Sequence, residues 1–377
     1  YFVEERHVDA NELLTNQNPF LFQALLHERY DIAEYLIEKK KVNLTTLSNA
    51  GKSILHPAAS YGNLDFIKYV LDEKKADIDL NQGDAKRGAT LVMEVAASSW
   101  PNRLDILHYL INRKQTNVNA QDKSNNTALH YTRCREVCRD LIKHGADVNM
   151  KNENGDTPLH RAIDQDLYDV MECLVEHGAD INSSNNQGAT PLHFTLWKEP
   201  NDWYVHRMCK YLVEHDADLN LGNIFGNTPL HIVIYTRRPR RQEITFDYKQ
   251  CEYLIEHGAD VDKTNKRGKT PLEYAIIFNR YELCKVLVEH GADVNKRNDD
   301  GETPLHKAMG KRKLMILKYL VGERHADVNI ARKKDKMTPL HTAASKNDYS
   351  VCEYLIQNGA NTRVKDSVTF YKLQRVT

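Results

Sequence analysis

The feature that most constrains this chain is a tetrapeptide, TPLH or a near variant, that recurs along almost its whole length. Successive copies begin 30 to 42 residues apart. A period of this size is typical of a solenoid, in which each repeat contacts only its neighbours, so the chain can grow long without forming one large globule. The copies begin at Ser53, Thr90, Thr127, Thr157, Thr190, Thr228, Thr270, Thr303 and Thr338, with a weaker first copy from Pro19.

Each repeat carries the signals of two helices joined by a turn. Thr favours the N-cap of the first helix, and the Pro that follows fits the first helical turn, where its missing N–H costs nothing. The second helix is clearest in residues 282–295, where Leu283, Val286 and Leu287 recur at helical spacing. Gly291 is expected to end this helix in the left-handed conformation, and the Asp-Gly pair of the next segment predicts a turn.

Composition excludes several classes of protein. The chain of 377 residues has 52 basic and 52 acidic side chains, so no net charge draws it toward nucleic acid or a membrane. No apolar run approaches the roughly 20 residues of a membrane span, and no signal peptide is recognisable. Because the first residue is Tyr1 rather than Met, we expect a piece of a longer chain.

The histidines and cysteines recur at fixed places in the repeat, which favours structural roles. Seven histidines occupy the fourth place of the tetrapeptide and predict a repeated hydrogen bond to the turn, while five others precede the helix end, where they would meet the last carbonyls. Five of the seven cysteines lie seven residues before the helix-ending position, as expected of a small buried packing site. Free buried thiols favour a reducing compartment, so we expect an intracellular, cytoplasmic protein. These cysteines are Cys138, Cys209, Cys251, Cys284 and Cys352.

The TPLH tetrapeptide, the LVEHGADVN segment at 287–295 and the DDGET turn at 299–303 closely resemble the motif of the ankyrin-repeat family. The resemblance covers essentially residues 17–377. It implies an all-α solenoid of stacked helix-turn-helix repeats with projecting β-hairpin-like loops, and a concave face that binds other proteins.

The same resemblance divides the chain into three segments. Residues 1–16 form an N-terminal flank, and residues 17–366 form an array of about ten repeats with insertions near 97–103, 199–206 and 237–250. Residues 367–377 begin a degenerate eleventh or capping repeat. Repeat one lacks the Thr cap, and repeat four is about three residues short.

Specificity in a repeat array must lie where the repeats differ. On the first helix, the Leu two places after the Thr and the small residues five and six places after it form a buried stripe. Positions four, seven and eight share a different face, and the resemblance implies that this face lines the concave groove. Repeats five and nine carry polar residues there, whereas repeats six to eight carry large apolar ones, which predicts a partner-binding surface of several hundred Å². Its residues are Phe194, Trp197, Ile232, Tyr235, Tyr274, Ile277 and Phe278, joined by Ile224 and Phe225 from the loop before repeat seven.

The two largest insertions, 199–206 and 237–250, fall in repeats six and seven and leave three interpretations open. Their apolar residues could fold over the neighbouring helices as an internal lid, the groove could be open to a partner, or the insertions could simply lengthen the helices. A basic run in the second insertion could contact an acidic partner surface or remain a solvated loop. It consists of Arg237, Arg238, Arg240 and Arg241.

These patterns predict a non-enzymatic scaffold that recognises another protein. We find no Gly-rich phosphate loop, no HExxH and no nucleophile elbow, so we expect no catalytic residues, metal, cofactor or small-molecule substrate. Nucleic acid and membranes are not expected partners. Alternatives are the targeting or substrate-recruiting arm of a larger effector, toxin or ubiquitin-ligase adaptor, including a host–pathogen effector, and the cytosolic part of a channel.

Four asparagines in the turn after the second helix have two interpretations. They resemble the asparagine-hydroxylation sites of the family, and the same motif also serves plain turn structure. They are Asn149, Asn182, Asn220 and Asn295.

Overall fold

A computed structural model describes residues 18–113, 115–198, 202–235, 244–309 and 313–364, without the side chains of 202–204 and 244–247. Within these ranges the chain is helical and contains no β-strand, and its helices come in ten pairs, one for each repeat. The predicted all-α repeat fold is therefore confirmed.

The helix bounds follow the period of the sequence. The pairs are α1 Phe20–Leu26 and α2 Tyr30–Lys40; α3 Leu55–Ser60 and α4 Leu64–Lys68; α5 Leu91–Ala97 and α6 Arg103–Ile111; α7 Ala128–Tyr131 and α8 Arg135–Lys143; α9 Pro158–Asp164 and α10 Tyr168–Glu176; α11 Pro191–Trp197 and α12 Asp202–Glu214; α13 Pro229–Tyr235 and α14 Ile244–Glu256; α15 Pro271–Ile277 and α16 Tyr281–Glu289; α17 Pro304–Ala308 and α18 Leu314–Lys318; α19 Pro339–Ser345 and α20 Tyr349–Gln357. Two second helices, α4 and α18, continue as π-helical turns over Tyr69–Glu73 and Tyr319–Glu323.

The described residues fall into two compact halves that divide between Asn186 and Gln187. Within each half, a first helix packs against its own second helix and against the first helix of the next repeat. The Leu two places after the Thr is the centre of these contacts, since Leu159 and Leu230 are completely buried. Burial of one such side chain stabilises the fold by about 1.5–3 kcal/mol.

The histidine of the tetrapeptide joins the start of its own helix to the next repeat. His130 Nδ1 accepts a hydrogen bond of 3.0 Å from Thr127 N, and its Nε2 lies 3.0 Å from the Asp156 carbonyl oxygen. Because Nδ1 accepts, the ring must carry its proton on Nε2 and donate it to that carbonyl. The predicted turn role is confirmed, since the bond to the Thr N–H recurs at His160, His193, His231, His306 and His341. At the seventh place, His56 Nδ1 lies 3.0 Å from the Ser53 hydroxyl oxygen instead.

The histidine at the end of the second helix also makes the predicted contact with a carbonyl. In each case Nδ1 lies 2.7–2.8 Å from the carbonyl oxygen four residues earlier. The following Gly291 has a φ of 93°, so the predicted left-handed helix end is confirmed. The histidines are His144, His177, His215, His257 and His290.

The five cysteines at the repeated position are all buried, which confirms their packing role. Burial raises the pKa of the Cys209 thiol to about 12, so this thiol stays protonated and unreactive. Cys134, which lies outside the repeated position, is the N-cap residue of α8 and is half-buried.

Between repeats, the chain turns through hairpin-like tips, and in repeats five, seven, eight and nine an asparagine five residues before the Thr holds the tip. In the tip of repeat five, Asn152 N donates to the Asp156 carbonyl, and the Asn152 side-chain oxygen accepts from the backbone of Asn154 and Asp156. Neighbouring tips are joined edge to edge. Lys266 N, for example, donates to the Phe225 carbonyl over 3.0 Å.

Three of the asparagines with the hydroxylation-like motif, Asn149, Asn220 and Asn295, bridge successive repeats. The Asn149 side-chain oxygen accepts from Asp180 N over 2.8 Å, while its amide donates to the Gly178 carbonyl. Asn220 makes the equivalent bonds to Asp260 and Gly258. These contacts account for both residues as turn structure, and modification of them stays a prediction.

Part of each large insertion is helical. The second helices α12 and α14 each have 13 residues, whereas α10 and α16 have nine. All four helices have their last residue two places before the Gly or Asp that follows the helix-ending histidine. The extra residues therefore lengthen α12 and α14 at their N-terminal ends. Lengthening therefore accounts for 202–205 and 244–247, four residues in each helix, while 199–201 and 236–243 lie outside the described residues.

Candidate protein-binding surface

The predicted partner-binding residues lie on the first helices of repeats six to eight and on the tip before repeat seven. We call this set the apolar face. Tyr235 is 53% exposed and Phe225 59%, values that are high for large apolar side chains. The set comprises Phe194, Trp197, Ile224, Phe225, Ile232, Tyr235, Tyr274, Ile277 and Phe278.

Exposure is not uniform across the apolar face. Trp197 and Ile224 are also exposed, whereas Phe194, Tyr274, Ile277 and Phe278 are half-buried. Ile232 is only 2% exposed, because position four on the helix borders the buried stripe. It supports the surface from below and does not present itself to a partner.

The aromatic rings form two groups in direct contact. In repeats seven and eight, Tyr235 meets Phe278 edge to face, with ring centroids 5.6 Å apart, and Tyr274 lies within 6.3 Å of Tyr235 and 6.0 Å of Phe278. In repeat six, the rings of Phe194 and Trp197 are 5.8 Å apart. Such contacts fix the ring orientations, so little side-chain entropy remains to be lost when a partner binds.

A cavity of about 330 Å³ opens among these residues. Its apolar walls come from the helices and from the tip before repeat seven. Its polar walls come from that same tip and from the tip before repeat eight. The volume is at the lower end of the range of about 300–1,000 Å³ that is typical of ligand sites. The lining residues are Trp197, Asn223, Ile224, Phe225, Asn227, Ile232, Tyr235, Asn265, Lys266, Arg267 and Tyr274.

Five of the lining residues were not predicted from the sequence. They are the asparagines of the two tips and the basic pair Lys266 and Arg267. The asparagines already satisfy one another: the Asn265 amide donates to the Asn227 side-chain oxygen over 2.7 Å and to the Tyr274 hydroxyl over 3.1 Å. Their fixed place before the Thr was the available signal, but it identified them only as turn residues.

The charged side chains among the described residues that line the cavity are all basic. No carboxylate is among its lining residues, whereas Lys266 and Arg267 are both exposed at its rim. Lys269 Nζ lies 5.9 Å from the centre of the Tyr274 ring, close enough for a cation–π contact. Below the ring, His231 is neutral at pH 7, since burial lowers its pKa to about 4.

The predicted arginine run, Arg237, Arg238, Arg240 and Arg241, lies outside the described residues, and so do residues 199–201. That the insertions fold over the apolar face as a lid therefore stays a prediction. Among the described residues, the apolar side chains keep the exposures given above.

Two further features of the described residues bear on other classes of function. Within the described residues, no helix is long and apolar enough to cross a membrane. In the same residues, Glu252, Glu256 and His290 bring possible metal-ligand atoms within 4.8 Å of one another. This group was not predicted, and exposed carboxylates often gather in this way without an ion.

Comparisons with known proteins agree with the fold. A family model described as ankyrin repeats (3 copies) matches residues 1–84, 92–185, 133–223, 205–298 and 295–366. The chain is 39% identical over 93 residues to a probable serine/threonine-protein kinase of Dictyostelium discoideum, which is 23% of this chain and 10% of that protein. It is 31% identical over 168 residues to the nuclear factor NF-kappa-B p105 subunit of Gallus gallus, which is 41% of this chain and 16% of that protein.

A third relative is the stress-activated protein kinase alpha of Dictyostelium discoideum, 37% identical over 65 residues, which are 15% of this chain and 10% of that protein. The chain thus spans only 10–16% of the length of these curated relatives. The family model covers nearly all of residues 1–366 and agrees with the ten helix pairs. This chain belongs to the ankyrin-repeat family.

Proposed function

We propose that this chain is a non-enzymatic scaffold that binds another protein through the apolar face. Ankyrin repeats are in general protein–protein interaction modules. The observation that carries the proposal is the exposure of Trp197, Ile224, Phe225 and Tyr235 together around one cavity. Contiguous aromatic and aliphatic side chains of this kind are typical of interaction sites on a protein surface.

The stack does not need these side chains to be apolar. In repeat five, the same positions on α9 hold Arg161 and Asp164, and the repeat keeps the same cap and the same buried Leu159. A polar face is therefore compatible with the fold. The apolar residues of repeats six to eight must have another use, and contact with a partner is the simplest.

Site-specific photo-cross-linking tests this proposal. Benzoylphenylalanine at Phe225 is compared with the same group at Tyr349, which is 61% exposed on repeat ten. In extract of the source cells, we expect a cross-linked protein from position 225 only, and its loss when Trp197→Ala and Tyr235→Ala are added. Equal products from both positions, or a product that survives the two substitutions in a folded variant, would contradict the proposal.

A second candidate function is the targeting arm of a larger protein. What supports it is that the matched relatives are much longer than the matched segments, and two of them bear the names of protein kinases. The seven free cysteines are compatible with a reducing compartment for such a protein. Sequencing the full transcript tests this candidate, since it requires a further domain in the same reading frame.

A further inference from the structure

The cations at the rim of the cavity make no ion pairs with described residues. Lys266 and Arg267 lie at the tip of repeat eight, where their side chains are exposed and face no carboxylate within 4.0 Å. Some basic side chains at other tips are engaged. Lys151 Nζ donates to the Ser184 carbonyl over 2.7 Å, and Arg332 pairs with both Glu302 and Asp335.

The polar groups inside the cavity are already satisfied. Asn223 accepts through its side-chain oxygen from the backbone of Phe225 and Asn227, and Asn265 bonds to Asn227 and Tyr274. A partner therefore gains little from hydrogen bonds to the walls. What the site leaves open is an apolar space with two positive charges at its edge.

We infer that the apolar face binds an acidic peptide segment of its partner, an inference that rests on the proposed function. A bulky apolar side chain of the segment enters the cavity between Trp197 and Tyr235. Flanking Asp or Glu carboxylates meet Lys266 and Arg267. Complementary charge at the rim of an interface speeds association and selects the partner, while the buried anchor supplies most of the affinity.

Single-stranded nucleic acid also combines negative charge with planar groups, but the geometry favours a peptide. Binding of single strands relies on a basic groove that tracks the backbone over several nucleotides. Among the described residues, only two cations line this cavity, and its walls are aliphatic as well as aromatic. Oligonucleotide binding therefore becomes an outcome of the test.

The test begins with a displayed library of random 12-residue peptides selected on the purified chain. We expect the enriched peptides to carry Trp, Phe or Leu flanked by Asp or Glu. A labelled peptide from this set should lose about tenfold in affinity between 50 and 500 mM salt. It should lose a similar factor in the variant Lys266→Glu/Arg267→Glu.

The chain offers a matched control at another tip. Lys333 N bonds to the preceding tip in repeat ten as Lys266 N does in repeat eight, so Lys333 and Lys334 correspond to Lys266 and Arg267 across the tips, and both are exposed. The variant Lys333→Glu/Lys334→Glu should leave peptide affinity unchanged within about twofold. A second selection on Lys266→Glu/Arg267→Glu should no longer enrich acidic peptides.

The outcomes separate this inference from the proposed function. The inference of an acidic partner is overturned if the enriched peptides need Tyr235 but lack acidic residues, or if their affinity does not depend on salt concentration. Either result leaves the apolar face as the binding surface. Displacement of the peptide by a 12-nucleotide oligo-dT at equal concentration also overturns it. If no peptide that needs Tyr235 is enriched, the proposed function fails as well.

Discussion

Repeats five and seven place different side chains on nearly the same backbone. Their first helices, α9 and α13, both have seven residues, begin after a Thr and carry Pro at the first position. In repeat five, Arg161 and Asp164 form an ion pair of 3.0 Å on the outer face. In repeat seven, Ile232 is buried at the corresponding place and Tyr235 is half exposed.

The comparison shows that stacking on the neighbouring repeats and contact with a partner use different positions of one helix. Positions that form the cap and the stripe are shared because every repeat must stack on its neighbours. Positions on the outer face are free to differ, since they contribute little to the stack. A polar, self-paired face such as that of repeat five needs no partner, whereas the face of repeat seven leaves apolar surface in water.

The largest expected effect tests the shared frame, by which we mean the cap positions and the buried positions that all repeats have in common. Leu159→Ala and Leu230→Ala each remove a fully buried side chain and should lower the free energy of unfolding by about 2–5 kcal/mol. Urea denaturation followed by circular dichroism measures both. If the two losses differed by more than about 2 kcal/mol, the frames of repeats five and seven would not be equivalent.

Next in size is a dependence of stability on pH. Burial lowers the pKa values of His231 and His306 to about 4, below the roughly 6.5 of an unfolded histidine. Their contribution is fully present above pH 6.5 and is lost as the pH falls toward 4, because the unfolded chain then binds protons that the folded chain excludes. The loss is up to about 3 kcal/mol for each residue.

Denaturation curves at pH 7 and pH 4.5 measure this loss. The variant His231→Gln should be less stable at pH 7, since it disturbs the bond to Thr228 N, but it should show a shallower pH dependence. An unchanged slope would mean that other groups dominate the acid response.

The third prediction concerns the outer face of repeat seven. Tyr235→Ala should weaken binding of the cross-linked protein or of a selected peptide by about 2 kcal/mol, roughly 30-fold. Its effect on stability should be much smaller, because the ring is half exposed. Titration calorimetry gives the affinity, and a loss of stability as large as that of Leu230→Ala would show that Tyr235 belongs to the frame.

The smallest expected effect is at repeat five. Arg161→Ala breaks an exposed ion pair within α9 and should change the free energy of unfolding by less than about 0.5 kcal/mol. Binding of the same probe should be unchanged. A measurable loss of affinity would extend the partner surface beyond the apolar face.

Much of the fold could be read from the sequence because its signals are local. The Thr-to-His bond, the left-handed Gly291 and the buried cysteines each depend on residues of one repeat or of the adjacent one. The position of the apolar face followed from the same spacing. The burial of Ile232 did not, because it depends on how neighbouring helices pack around one helix position.

The contribution of Lys266, Arg267 and the tip asparagines was also beyond the sequence. Asn265, Lys266 and Arg267 lie 30 or more residues after Tyr235, the last residue of α13, whose side chain shares the cavity with them. Nothing in their spacing distinguishes them from other turn residues. Only the edge-to-edge stacking of the tips places them beside Tyr235 and Trp197.

The sequence by itself determined the repeat, its caps and the positions free to vary, since hydrogen bonds and helical periodicity act over a few residues. The tertiary structure alone decided which of those positions are exposed, which form a cavity and which charges remain unpaired. Exposure and electrostatic pairing depend on distances between residues that are remote in the chain, and no local pattern fixes those distances.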